Sequence, residues 1–168
     1  CTSGRSNVCA NMRLFGTGVD GALADFILVP EEALACITPV AREIAPPHLA
    51  LAEPLSCCLR ATTRLPIESN SRVLVLGTGP IGLIHCALAV SAGARVMACG
   101  RQARLEPARA MGAELTTGAQ GEDLVREVMT WTDGVGADVV IIAVGAPALV
   151  SIAAQCARIG GHISFFAG

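Results

Sequence analysis

The stretch Arg72-Val-Leu-Val-Leu-Gly-Thr-Gly-Pro-Ile-Gly82 constrains the fold more than any other part of the chain. A short run rich in Val and Leu leads into Gly77-x-Gly79-x-x-Gly82, and an apolar pattern of helical spacing comes directly after it. Strand, glycine turn and helix in that order form the opening of a dinucleotide-binding unit. Gly77 permits the tight turn, Gly79 lets the backbone approach a pyrophosphate, and Gly82 lets the helix pack closely on the strand. The helix that begins at Pro80 and Ile81 points its unpaired N–H groups and positive dipole end at the phosphates. Gly77, Gly79, Pro80, Ile81 and Gly82 are therefore candidate cofactor contacts.

Beyond the glycine turn, strand and helix patterns alternate: strand Val73–Leu76, helix Pro80–Ala92, strand Arg95–Cys99, helix Ala103–Met111, strand Glu114–Thr116, helix Glu122–Trp131, strand Asp138–Ala143, helix Pro147–Arg158 and strand His162–Phe166. Such alternation predicts an α/β fold with a doubly wound parallel sheet, a Rossmann domain, whose sixth strand is expected beyond Gly168. A composition of 52% hydrophobic and 15% charged residues suits a buried sheet covered by helices. Two charge-free stretches, Val73 to Ala94 and Val139 to Ala157, are long enough for a membrane span. Gly and Pro break both in the middle, so they read as strand–turn–helix segments. Net charge is −2 without any basic run, which argues against nucleic acid and anionic membranes as partners.

Ahead of the sheet the pattern changes. Up to about Pro47, short β-like pieces such as Phe26-Ile-Leu-Val-Pro30 alternate with turn residues, which predicts an irregular all-β lobe. From His48 to Leu65 the apolar spacing becomes helical, and Pro66 closes that helix. The expected organisation is residues 1–50 as the C-terminal part of a β-rich lobe, 51–66 as a connecting helix, and 67–168 as the dinucleotide domain. Cys57, Cys58, Cys86, Cys99 and Cys156 sit in apolar patterns and read as buried, reduced thiols of a cytoplasmic protein.

Cys1 and Cys9, in Cys-Thr-Ser-Gly-Arg-Ser-Asn-Val-Cys, are two thiols at a spacing that by itself supports either a metal loop or unrelated cysteines. Glu53 lies in the apolar run Leu-Ala-Glu-Pro-Leu-Ser-Cys-Cys, where a carboxylate is expected to be buried with a partner or to face a cleft.

A string of segments runs through the chain in order: Ser3-Gly-Arg-x-Asn-x-Cys9, Asn11-Met-Arg-Leu-Phe-Gly16, Asp20-Gly-Ala-x-Ala-Asp-Phe26, Glu53-Pro-Leu55, Gly77-x-Gly-Pro-Ile-Gly82, Gly134-x-Gly-Ala-Asp-Val-Val140, Ala143-Val-Gly-Ala-Pro147 and Gly160-Gly-His-Ile163. In these the chain resembles the medium-chain zinc-containing alcohol and polyol dehydrogenases, the group of sorbitol, threonine and sugar-acid dehydrogenases. The resemblance implies that the N-terminal lobe is GroES-like and that Cys1 and Cys9 are two of four cysteines of a structural-zinc loop. It gives Glu53 the role of a carboxylate on the catalytic zinc, directly or through water. The family's remaining zinc ligands are expected upstream of Cys1, so zinc is expected to be weak or absent, and turnover lacking, in the polypeptide as it stands. His48, His85 and His162 match no family motif, and His85 reads as a packed residue. The resemblance further implies a small alcohol or polyol substrate and a homo-oligomer at full length. A zinc-free quinone or enoyl reductase of the same fold, or a non-catalytic nucleotide-binding module, is the competing reading.

The second strand bears on the choice of cofactor. An NAD site of this type ends that strand in Asp or Glu, which binds the ribose hydroxyls. Here the strand ends Cys99-Gly100-Arg101-Gln102, with no acid and a guanidinium instead. Arg grips a 2′-phosphate that a carboxylate would repel, so NADP is favoured over NAD, with Gly100 and Arg101 at the contact and Arg104 as a second cation. Val144 and Gly145 end the fourth strand at the sheet edge where ligands bind in open α/β folds. The resemblance places that turn near the adenosine and the chain's end near the nicotinamide.

Overall fold

The computed structural model describes residues 8–166. Contacts divide the chain into two units, residues 1–44 and 45–168.

Among the described residues of the first unit, the only β-pairing is one isolated bridge, Phe15 to Val19, and a 3-10 helix covers Glu31–Cys36. The expected strand at Phe26–Pro30 does not form a ladder there. A strand is stable only with a partner for its alternate N–H and C=O groups, and here Phe26 and Leu28 are 93% and 90% exposed.

The second unit opens with α1 (Pro46–Leu49) and α2 (Ala52–Thr62), followed by β1 (Arg72–Leu76), α3 (Pro80–Ser91), β2 (Arg95–Cys99), α4 (Leu105–Ala110), β3 (Leu115–Thr117), α5 (Gly121–Trp131), β4 (Ala137–Ile142), α6 (Leu149–Cys156) and β5 (Ala157–Phe165). All pairings are parallel, in the order β3-β2-β1-β4-β5. That is the doubly wound order, with its reversal between β1 and β4.

Both faces of the sheet are covered. Because side chains alternate along a strand, Val73 and Val75 of β1 enter one core with Cys86, Ala89, Val96 and Ile141. Leu74 and Leu76 enter the other with Met97, Leu124, Val128, Val140 and Cys156. Burial of Val73 to Leu76 is essentially complete, which accounts for the uninterrupted apolar run; a strand buried on both faces has no polar alternation to show.

The last strand begins earlier than its sequence suggests, directly after Cys156. Gly160 and Gly161 look like a turn but lie within β5, where the register against β4 shifts between Ala137 and Val139. A Cβ on Gly161 would come within 3.0–3.2 Å of the carbonyl oxygens of Arg158, Ala137 and Asp138, so glycine is what the irregularity admits. Asp138 fixes this end of the sheet: it accepts hydrogen bonds from the Arg72 backbone N–H at 2.8 Å and from Arg158 Nε at 2.6 Å.

The thiols divide. Cys58, Cys86 and Cys156 are buried and Cys99 is half-buried, but Cys57 is exposed on α2, correcting its expected burial. Burial pushes the Cys86 thiol up to about 12 and those of Cys99 and Cys156 up to about 11. No helix among the described residues is long and apolar enough to cross a membrane.

Candidate functional site

The residues expected to hold a dinucleotide meet at the C-terminal edge of the sheet. The ladder continues past β1 and β2 through Gly77 N–H to Cys99 O (2.8 Å), Ala143 N–H to Leu76 O (2.8 Å) and Gly100 N–H to Thr117 O (3.0 Å). The ends of β1, β2 and β4 are thus held side by side. Gly77 has φ +108°, in the region that favours glycine. A Cβ on it would meet Ala143 O and Val144 Cβ, each at 3.1 Å. The structure therefore brings Gly77 and Val144, far apart in sequence, into close approach. Val144 and Gly145 are both exposed.

Gly79 is the N-cap of α3, extended at φ −77°, ψ 179°, with no side chain capping the helix. Pro80 has no N–H, so the N–H groups of Ile81 and Gly82 lack an intrahelical partner. Gly82 is buried against the turn, and a Cβ there would fall on the Gly77 carbonyl oxygen. This cradle fits a phosphate group, because backbone donors face it and no side chain fills it.

Beyond β2, Arg101 is the N-cap of a 3-10 turn over Gln102–Arg104. Arg104 Nη1 lies 3.5 Å from the position a Cβ on Gly79 would take, which puts its guanidinium beside the glycine turn. Arg101 and Arg104 are exposed, and neither forms an ion pair among the described residues. The ion pairs formed by Arg72, Arg95, Arg109, Arg126 and Arg158 leave those two as uncommitted cations at this edge.

Sequence reasoning passed over one residue here. Thr78, between the first two glycines, is 3% exposed, and its Oγ1 is buried with no hydrogen-bond partner. It packs against Gly100. Its position inside the glycine motif was the available signal.

Glu53 lies elsewhere, in the first turn of α2. It is exposed rather than buried with a partner. The Cys57 thiol donates to its Oε1 at 3.2 Å, and this bond, ahead of burial, raises the Cys57 pKa. The other carboxylate oxygen accepts no hydrogen bond among the described residues, so Glu53 fits a single metal ligand. No group of three or more His, Cys, Asp or Glu side chains among the described residues could hold a metal. Cys9 is half-buried, and Cys1 lies outside the described residues. His85 is fully buried in α3; its Nδ1 pairs with Thr62 Oγ1 at 3.2 Å and its ring meets Phe166 edge-on at 4.6 Å. A groove between β3 and α5, lined by Met97, Thr116, Arg126 and Trp131, holds none of the expected site residues.

Residues 80–168 match the family model described as zinc-binding dehydrogenase. The chain belongs to that family. Among relatives of this zinc-binding dehydrogenase chain, the L-threonine 3-dehydrogenase of Pyrococcus horikoshii is 34% identical over 98% of the chain and 47% of its own length. The sorbitol dehydrogenase of Halalkalibacterium halodurans is 34% identical over 87% of the chain and 43% of its own length. The solved structure of a putative zinc-binding dehydrogenase from Sinorhizobium meliloti, bound to NADP, superposes with a TM-score of 0.82 at 31% identity, covering 97% of this chain and 48% of that one. The chain spans about half the length of the curated relatives it matches.

Proposed function

We propose that the protein of which this chain forms the nucleotide half is a zinc-dependent alcohol or polyol dehydrogenase that uses NADP in preference to NAD. One observation carries the cofactor reading: the guanidinium of Arg104, free of any ion pair among the described residues, stands beside an open glycine cradle, just beyond a strand that has no acid and that Arg101 follows. Ile81 and Gly82 N–H groups hold the pyrophosphate, Arg101 and Arg104 hold the 2′-phosphate, and Val144 and Gly145 flank the adenosine. Glu53 supplies one carboxylate ligand of the catalytic zinc, and Cys1 and Cys9 supply two ligands of a structural one. Residues 1–50 then belong to the zinc-binding lobe, 51–66 to the connecting helix, and 67–168 to the nucleotide domain.

A bound zinc would supply Lewis-acid polarisation of an alcohol oxygen, and a bound nicotinamide would supply a hydride acceptor. The part of this chain is to bind and orient. The rigid sheet edge fixes the dinucleotide against two backbone donors and two cations, and Glu53 keeps a free carboxylate oxygen on an exposed helix turn. The substrate is a small secondary alcohol, polyol or sugar acid, and the working protein is a cytoplasmic homo-oligomer.

The decisive experiment is a cofactor-reduction assay of the whole protein over a panel of secondary alcohols and polyols, with and without a zinc chelator. Reduction of NADP that stops on chelation is expected. Chelator-resistant turnover would point instead to a zinc-free reductase, and nucleotide binding without any turnover to a non-catalytic module.

A further inference from the structure

Gly100 is the first residue after β2, at the place where a dinucleotide fold carries the acid that binds the ribose hydroxyls. A side chain cannot begin there. A Cβ built on Gly100 would fall on Thr78 Oγ1 and would lie 2.8 Å from both Cβ and Cγ2 of Thr78. Every heavy atom of the Thr78 side chain crowds that point, so turning Thr78 about χ1 exchanges one clash for another. Nor can the Thr78 backbone yield easily. Gly77, just before it, sits at φ +108° with Ala143 and Val144 against it, and Gly79, just after it, is the N-cap of α3.

We propose that Thr78 is a specificity-determining residue of the nucleotide site: its side chain fills the space from which a carboxylate at position 100 would grow, and so keeps that edge free of negative charge for a 2′-phosphate. The inference rests on the NADP reading and deepens it by naming the residue that enforces the missing acid. Thr78 acts through Gly100 as a positioning residue. Its hydroxyl is buried and unpartnered, so volume, not hydrogen bonding, is what it contributes. A valine of the same shape therefore serves equally well.

The test measures binding of 5′-AMP and 2′,5′-ADP by calorimetry to the full chain and to Gly100→Asp, Gly100→Asp/Thr78→Gly and Gly100→Asp/Thr78→Val. Gly100→Asp alone is expected to gain no affinity for 5′-AMP. Adding Thr78→Gly, which removes the crowding Cβ as well, raises that affinity about tenfold or more over the single variant and abolishes 2′,5′-ADP binding, whereas adding Thr78→Val does neither. The proposal is overturned if Gly100→Asp alone matches the glycine double variant, or if the valine double variant does. A melting-temperature cycle of Gly100→Ala and Thr78→Gly covers the case in which the aspartate variants fail to fold. Recovery in the double variant supports the steric gate, and additive losses overturn it. Should the unaltered chain prefer 5′-AMP to 2′,5′-ADP, the NADP reading fails, while the comparison of single with double variants still decides the role of Thr78.

Discussion

The carbonyl oxygen of Gly77 stands where a Cβ on Gly82 would be built, so the turn and the helix it feeds share one contact that only hydrogen can occupy. Backbone, unlike the tip of a flexible side chain, cannot step aside without breaking the turn. Gly82→Ala is therefore expected to cost about 3 kcal/mol of stability by overpacking, read as a lower urea midpoint at unchanged slope. A loss within about 0.5 kcal/mol, the range of an ordinary surface change, would show that the contact is looser than described.

The two cations that follow β2, Arg101 and Arg104, should separate the cofactors. Replacing Arg101 by alanine removes a charge-assisted contact that NADP makes and NAD does not. A drop of about tenfold or more in kcat/KM for NADP, with little change for NAD, is expected in the whole enzyme; tenfold corresponds to about 1.4 kcal/mol. Arg104→Ala, whose guanidinium lies beside the glycine turn, is expected to lower kcat/KM for NADP in the same selective way. Equal losses for both cofactors in Arg101→Ala would remove it from the 2′-phosphate site.

Thr62 and His85 form a buried polar pair between α2 and α3, with His85 Nε2 already unpartnered. Thr62→Val strands the second ring nitrogen too and is expected to cost about 1–3 kcal/mol, whereas Thr62→Val/His85→Phe should cost less than the sum of its single variants. Burial holds the His85 pKa below its usual value, so the unfolded chain takes up the proton first. By linkage, stability contributed here is complete above about pH 6.5 and declines as pH falls from that value toward the lower folded one. Chemical denaturation at several pH values should show this slope in the unaltered chain and lose it in His85→Phe. A slope that survives the substitution must arise elsewhere.

Asp138 governs the more acidic range. Burial alone would raise its pKa, but the Arg72 N–H, the Arg158 guanidinium and the Arg72 charge outweigh it and hold the carboxyl below its ordinary value. Hydrogen bonding to Arg95 likewise lowers Glu114. Both groups contribute stability that is present above the ordinary carboxylate range and lost as pH falls through their lower folded values. Asp138→Asn is expected to cost about 1–2 kcal/mol at neutral pH, discounted for partial exposure, and to flatten the acid limb. An unchanged acid limb in that variant would transfer the effect to other carboxylates.

The doubly wound sheet was legible because its signals are local. An apolar run, a glycine turn and a helical repeat each lie within a dozen residues, and β1 with α3 appear close to where those signals put them. What stayed hidden depends on residues distant in sequence. No spacing shows that Thr78 fills the space beside Gly100, or that Gly77 meets Val144. Gly160 and Gly161 carried the signature of a turn, yet pairing with β4 absorbs them into a strand. Phe26 to Val29 had strand-like composition but found no partner among the described residues, and composition alone cannot supply one. For Glu53 the apolar neighbours suggested burial with a partner or a place on a cleft, and its own helix turn leaves it exposed, which removes the first of the two.

The core thiols give the sheet domain a built-in gauge of its own integrity. Only the ionised sulfur attacks an alkylating reagent, and Cys86, Cys99 and Cys156 are held at about 12 and about 11 inside the folded core. At neutral pH all three are almost wholly un-ionised and Cys86 and Cys156 are shielded as well, while Cys36 and Cys57 stand open to reagent. Each opening of the core returns a sulfur to the ordinary range near 8.5. The pace at which Cys86 and Cys156 accept a label therefore reports how often the nucleotide domain breathes.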